Sequence, residues 1–543
     1  MKPKIYAIDA DTARPADDLL PEVGNKAFNL MRLSALDLPV PPAFVLSTEF
    51  CRHWSEHGRR IGKELPDLMA SHVRRLENLS GLSFGDARRP LLLSVRSGAA
   101  ASMPGMMETL LNIGLTLGTL PGFIALTGKP RLAWDSMRRL VQSFAEVAKG
   151  ADAAGFDAVT AAAIAAAGVQ SVAELDTLSL RALTQELLAH YADVTGAPFP
   201  EDPMQQLTEA VEAVFRSWES ERAVTYRRLN KLTGLPGTAV TVQRMVFGNG
   251  GADSGSGVGF TRNPATGVNE LFMEYLPNAQ GEDVVSGRFP VEGADALASL
   301  LPEAYAHLRS IRDRLERAFG DVQDFEFTIE NGKVFLLQTR RAKRTDWAAL
   351  QIAVDLVRDG LIDPQEALAR VKDLPLDALV RYRLQETGHP RLALAKSAGI
   401  GVASGRLAMT SEEAVALAAR GEPVILVRSD TTTDDIAGMN AAVGILTRHG
   451  GRTSHAAVIA RQLNKVCLVG CGELEIADDA KQCTLGGKVL YPGDYLTLDG
   501  NAGAVLLGKA ELVAERPDQS LAQIEAWRAQ QRLSEPQAAS SAA

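Results

Sequence analysis

Hydrophobic and polar positions follow two different periods along the chain, and the changes between them mark out the elements. Residues 24–36, GNKAFNLMRLSAL, carry apolar side chains at helical spacing and predict an amphipathic helix. The run LLLSV at 91–95 predicts a buried strand that feeds the loop RSGAAASMPGMME. From about 131 to 232 the period is helical, and the alanine-rich VTAAAIAAAG within it reads as a packed helix. Strand patterns return at 238–247, 257–262, 324–330 and 333–338, the last two joined by Asn331 and Gly332, a strong hairpin signal. Two helices split at 360–364 are predicted over 346–373, after which proline, glycine and charge thicken into a connector reaching residue 396. From about 397 to 510, the short strands PVILV, AVGIL, VCLVG and YLTLD alternate with helices at SEEAVALAAR and SHAAVIARQL. A helix, LAQIEAWRAQQRL, and a tail of disordered composition, SEPQAASSAA, complete the chain. The pattern is that of a multidomain protein of α/β and α+β type.

Composition narrows the function more than the fold. A length of 543 residues suggests three to four domains. Apolar residues at 46% and charged residues at 23% exclude a disordered or fibrous chain. The net charge of −9, from 57 basic and 66 acidic residues, argues against a general nucleic-acid binder. No apolar run approaches the 18 or more residues of a membrane span, and the start, MKPKIYAIDADTARP, lacks the apolar core of an export signal, so the expectation is a cytoplasmic protein without membrane contact. Cys51, Cys467, Cys471 and Cys483 lack the spacing of a zinc site and are expected to be reduced, buried thiols. Whether the chain forms a homo-oligomer is left open.

The sharpest chemical signal is GGRTSHAAVIARQL at 450–463. A strand ends at Thr447, two glycines turn, Thr453 or Ser454 can cap a helix, and His455 falls in its first turn. Exposed N–H groups and the positive dipole end there favour an anion and a neutral imidazole, so His455 can accept a phosphoryl group, although taken alone such a residue is more often a capping or core histidine. His449 is a weaker candidate on the preceding loop. The glycine cluster FGNGGADSGSGVGFTRNP lies between two strand patterns, as a hairpin that either folds over a polyphosphate or is simply flexible. Lys26 follows a glycine turn, Arg96 ends a strand, and Glu326, Gln338 and Arg340 alternate along the hairpin so that several share a face. Lysine and arginine would neutralise phosphates, and a carboxylate with a side-chain amide would hold Mg²⁺ and nucleotide oxygens.

Collinear stretches from residue 24 to about 500 resemble the pyruvate phosphate dikinase family and, less closely, phosphoenolpyruvate synthase. Among them are GNKAFNLMRL, SVRSGAAASMPGMMETLLNIG, TAVTVQRMVFGNGGADSGSGVGFTRNPATG, QDFEFTIENGKVFLLQTRRAKRT and VILVRSDTTTDDIAGMNAAVGILTRHGGRTSHAAVIARQLNKVCLVGCG. The resemblance implies an ATP-grasp nucleotide-binding region at 1–345 with a helical insert at about 131–232, a connector at 346–396, a swivelling phosphohistidine domain at 397–510, and a linker-like helix and tail at 511–543. It implies that His455 is the nucleophile attacking ATP, that Lys26, Arg96, Arg138, Glu282, Glu326, Gln338 and Arg340 contact nucleotide or metal, and that ATP and Mg²⁺ are bound. Two departures stand out. Arg452 replaces the family's usual methionine, and some 35 residues follow Gly508 where the family continues into a pyruvate-binding barrel, a fold of about 250 residues. The expectation is therefore an ATP-dependent phosphotransferase of the dikinase type whose acceptor is bound elsewhere, or a phosphocarrier or regulatory subunit that needs a separate acceptor-domain protein.

Overall fold

The computed structural model describes residues 3–534 apart from Gly58, Ser102, 104–106, 286–288, Pro290, 386–387, Thr453 and 478–480. Part of the RSGAAASMPGMME loop, the capping candidate Thr453 and the expected disordered tail from residue 535 thus lie outside the described residues. Two compact units emerge, Met1–Gly250 with Phe335–Thr339, and Gly251–Val334 with Arg340–Ala543. Residues 1–345 are distributed over both.

The first unit is built on an antiparallel sheet of β1 (Ile5–Ile8), β2 (Ala43–Leu46), β3 (Leu93–Gly98), β4 (Thr109–Ile113) and β5 (Ala239–Arg244), in the order β1-β2-β5-β3-β4. The helices Pro130–Lys149, Thr177–Thr195 and Pro203–Trp218 share one apolar core with it. Asp152, Asp176 and Asp202 accept first-turn N–H groups at the starts of three successive helices, and left-handed Gly150, Gly168 and Gly196 end three. The alanine-rich segment is a packed helix, Ala153–Ala167, which buries Phe156 in the core with Val159 and Ala163 packed against it. The helix predicted at 24–36 begins earlier, at Leu20, and is broken at Gly24, where φ is 73°. A side chain there would strike the Gly98 carbonyl, and the Asn25 N–H binds Ala99 O at 2.9 Å, so this glycine lets the helix press against the end of β3.

In the second unit β6 (Gly255–Phe260), β7 (Phe272–Pro277) and β8 (Gln323–Glu330) lie in a sheet of order β7-β6-β8-β9, where only the ends of β9 (Lys333–Arg341), outside Phe335–Thr339, belong to this unit. Asn331 and Gly332, with φ of 49° and 76°, make the predicted tight turn. The glycine-rich segment is not a hairpin: β5 and β6 belong to different sheets. Its glycines at 255, 257 and 259 instead leave room in β6 for the rings of Tyr275, Phe327 and Phe325. Beyond β6, buried Arg262 binds Glu316 and Asp359, tying the sheet to the helices Pro302–Phe319 and Asp346–Arg358.

The stretch expected as a helical connector is helical in Asp346–Arg358 and Pro364–Val371, but Arg381–Leu384 and Arg391–Leu394 are strands. Four-residue strands that join other strands only at a sheet margin carry too short a pattern to read. Helix Asp518–Ser534 buries Ile524 and Trp527 with Leu350, Ala353 and Val371 of the two helices.

An eight-stranded sheet follows, with Val402–Ala408, Val424–Arg428, Gly444–Thr447 and Val466–Val469 running parallel at its centre. One face is covered by helices Ser411–Ala419, Ile436–Ala441 and His455–Gln462, which bury Ala414, Met439, Ala456, Ala457 and Ala460. The other face packs against a small sheet of Leu474–Ile476, Cys483–Leu485 and Lys488–Leu490. All four cysteines are free and buried, as expected. Among the described residues, no helix is long and apolar enough to cross a membrane.

Candidate functional site

The loops that follow the central parallel strands come together at their carboxyl ends, the usual place for a ligand in such a sheet. After Gly444–Thr447, the Thr447 hydroxyl binds His449 O at 2.6 Å and Gly450 takes a φ of 106°. Ser454 N–H closes the turn on Gly451 O at 3.0 Å, and Ser454 Oγ caps the helix by accepting from Ala457 N. His455 is therefore the first residue of its helix and is exposed. Desolvation of the ring lowers its pKa, Asp430 and Asp435 pulling the other way, so the ring is neutral near pH 7. An exposed neutral imidazole at the positive end of a helix combines a nucleophile with an electrostatic setting that favours an anion.

The helix below His455 ends in a buried cation. Arg461 is 1% exposed, donates to Arg452 O at 2.7 Å and lies over the Phe260 ring. Burial pushes its pKa down to about 10, while Asp324 and Glu274 hold it up. The Arg452 backbone N–H donates to Glu274, and its guanidinium packs over Phe272. The Arg452 side chain thus rests on an aromatic ring of β7.

On β8, Asp324 and Glu326 alternate and so point to one face. Asp324 is buried and pairs with Arg340 Nε at 2.7 Å; burial raises its pKa and Arg340 opposes that rise. Arg340 is paired to this acidic face, and its partner Asp324 is a residue that motif reading passed over. Its signal was the i, i+2 spacing to Glu326. Glu282 is exposed in the first turn of the short helix Gly281–Val285.

The remaining candidates lie in the first unit. Lys26 follows the Gly24 break and packs its Cβ beside Gly98. Arg96 projects from β3 and donates Nη1 to Leu337 O at 3.0 Å, next to Gln338. Lys26, Arg96 and Gln338 are thereby gathered near the end of β3. Arg138 is buried and held by Asp135 on its own helix at 2.9 Å.

Residues 59–294 and 289–359 match the family described as pyruvate phosphate dikinase, AMP/ATP-binding domain, and residues 420–503 match PEP-utilising enzyme, mobile domain. Pyruvate, phosphate dikinase of Clostridium symbiosum is 44% identical over 513 residues, covering 93% of this chain and 58% of that protein. The enzyme of that name from Rhizobium meliloti is 41% identical over 538 residues (96% and 60%), and the chloroplastic one from Mesembryanthemum crystallinum 43% over 493 (90% and 52%). The chain spans somewhat over half the length of these curated relatives. With more than half of its residues matched to the AMP/ATP-binding domain, the chain belongs to the pyruvate phosphate dikinase family.

Proposed function

We propose that this chain is an ATP-dependent phosphotransferase of the dikinase type, acting through a phosphohistidine on His455. The observation that carries the reading is His455 itself: a neutral, exposed imidazole at a capped helix start, among loops at the carboxyl ends of parallel strands. A ring nitrogen forms a bond to the β-phosphorus of ATP while the bond to the AMP oxygen breaks, so AMP is released and the histidine carries a pyrophosphoryl group, whose terminal phosphoryl group goes to phosphate or water and leaves the β-phosphoryl group on the ring. The phosphoryl group then passes from His455 to an acceptor bound elsewhere, a small molecule or a separate protein.

Lys26 and Arg96 compensate the phosphate charge, with Arg138, Glu282 and Arg340 completing the set of polar contacts. Glu326 on β8 and Gln338 on β9 supply the hard oxygen donors that Mg²⁺ takes one or two at a time, its other positions going to phosphate and water. Mg²⁺ bound there would neutralise phosphate oxygens and orient the chain of phosphates. Among the described residues no group of three or more His, Cys, Asp or Glu forms a protein-only cage, which suits an ion shared with a nucleotide. Four free cysteines fit a reducing compartment, and we place the protein in the cytoplasm.

The test is incubation of the chain with Mg²⁺ and ATP labelled in its β-phosphate. Acid-labile label on the protein with an equivalent of AMP is expected; ADP as the nucleotide product would refute the dikinase reading. The lowered His455 pKa adds a pH dependence. Below that pKa the ring is protonated and has no lone pair, so initial labelling rates should rise with pH, reach half-maximum below the ordinary histidine value of about 6.5, and level off by neutrality. Rates from pH 5 to 8 check this, and a rise confined to pH above 7 would contradict it.

A further inference from the structure

The His455 ring has a partner that neither its turn nor its helix supplies. Thr431 Oγ1 lies 3.4 Å from Nδ1, and Thr431 is 6% exposed although His455 is open to solvent. The contact follows from topology. Strands Val424–Arg428 and Gly444–Thr447 are parallel neighbours with Arg428 opposite Thr447, so the loops leaving their carboxyl ends meet.

The loop that carries Thr431 is held firmly. Asp430 accepts the Thr431 N–H at 2.7 Å. Asp435, 4% exposed, accepts the Thr432 N–H at 2.9 Å and the Ser411 hydroxyl at 3.0 Å, and pairs with Arg428 at 3.2 Å. Ser411 itself starts the helix after the next parallel strand, Val402–Ala408. The backbone that carries Thr431 is thus held by groups from three adjacent strand ends, none of them the histidine.

A neutral imidazole has one N–H and one lone pair, and a hydrogen bond at one nitrogen decides which is which. We propose that Thr431 is a positioning residue for phosphoryl transfer: its Oγ1 accepts the proton of Nδ1, fixing the tautomer whose lone pair is on Nε2, the edge of the ring turned away from the loop. This rests on His455 as the nucleophile. The Nε2 lone pair forms the N–P bond, the P–O bond to AMP breaks, and Nδ1 keeps its proton throughout. Positive charge that grows on the ring is met by the Thr431 oxygen and by the nearby carboxylates of Asp430 and Asp435.

The experiment uses protein labelled with ¹⁵N-histidine and the variants T431V, which keeps the shape but removes the hydroxyl, and T431S, which keeps the hydroxyl. The His455 signals are identified by their loss in H455A. Without nucleotide, the ¹⁵N shifts should report an Nδ1–H tautomer in the parent and T431S, and a shift toward Nε2–H in T431V. Phosphohistidine formation should slow about tenfold in T431V and return in T431S, the scale of one well-placed hydrogen bond. Thermal melts verify folding, and T431A serves should T431V not fold. An unchanged tautomer in T431V, or equal losses in T431V and T431S, would overturn the proposal. Because the tautomer is read without ATP, it decides the role of Thr431 even if the parent protein takes no label, a result that would refute the phosphotransfer reading.

Discussion

In His455→Ala, the label that ATP leaves on the protein falls to background, a loss of at least about a thousandfold, while ATP still binds. The size follows from removing the atom that forms the N–P bond, for which alanine has no substitute. The structure separates this from a folding defect. His455 is exposed, its helix is capped by Ser454, and the buried face of that helix belongs to Ala456, Ala457, Ala460 and Arg461. Alanine at this first helical position leaves that buried face intact and loses only the contact with Thr431, so stability should change by no more than about 1 kcal/mol. Acid-lability of the label, nucleotide binding by calorimetry and a thermal melt make the comparison. Label persisting in the variant would move the nucleophile to His449, whose backbone N–H is bonded to Ser429 O at 2.9 Å on the same loop, or sink the phosphohistidine reading.

His455 could be read from sequence because everything that places it is local: a strand end, two glycines, a capping hydroxyl and a helical period within about a dozen residues. The Asn331-Gly332 hairpin was legible for the same reason. Thr431 was not. It lies 24 positions from His455, and only the parallel pairing of their strands brings the two together. Asp324 was hidden differently, since an acid inside a strand reads as a solvent-facing residue until the arginine that accompanies it into the interior is known. The glycine-rich segment misled because alternate glycines have two physical uses. Here those of β6 make space for three aromatic rings, and no hairpin forms from β5 to β6. The strands Arg381–Leu384 and Arg391–Leu394 were lost because their partners, Leu512–Glu515 and Ala504–Leu507, lie more than a hundred residues away.

Arg96→Ala should lower AMP formation by about 10²- to 10³-fold, an effect of about 3–4 kcal/mol on the barrier, and most of it should appear in kcat. Arg96 stands on β3 between Thr109 and Thr241, near Lys26, with one guanidinium nitrogen bonded to Leu337 O. A guanidinium anchored in this way is already aimed before the nucleotide arrives, so it can stabilise charge that develops on phosphate oxygens without reorganising. The hydrogen bond to Leu337 O is itself worth about 1 kcal/mol net to folding. Arg96→Lys gives the sharper comparison. Lysine restores the charge but not the planar fork, so it should recover only part of the rate and leave KM for ATP closer to the parent than alanine does. Lys26→Met should weaken ATP use in the same direction through loss of charge alone. Rates of AMP release at saturating and limiting ATP, with melts of each variant, separate binding from chemistry. If Arg96→Ala turned over ATP within about threefold of the parent, the phosphate charge would have to be met by other groups, and the cluster at the end of β3 would be a structural contact alone.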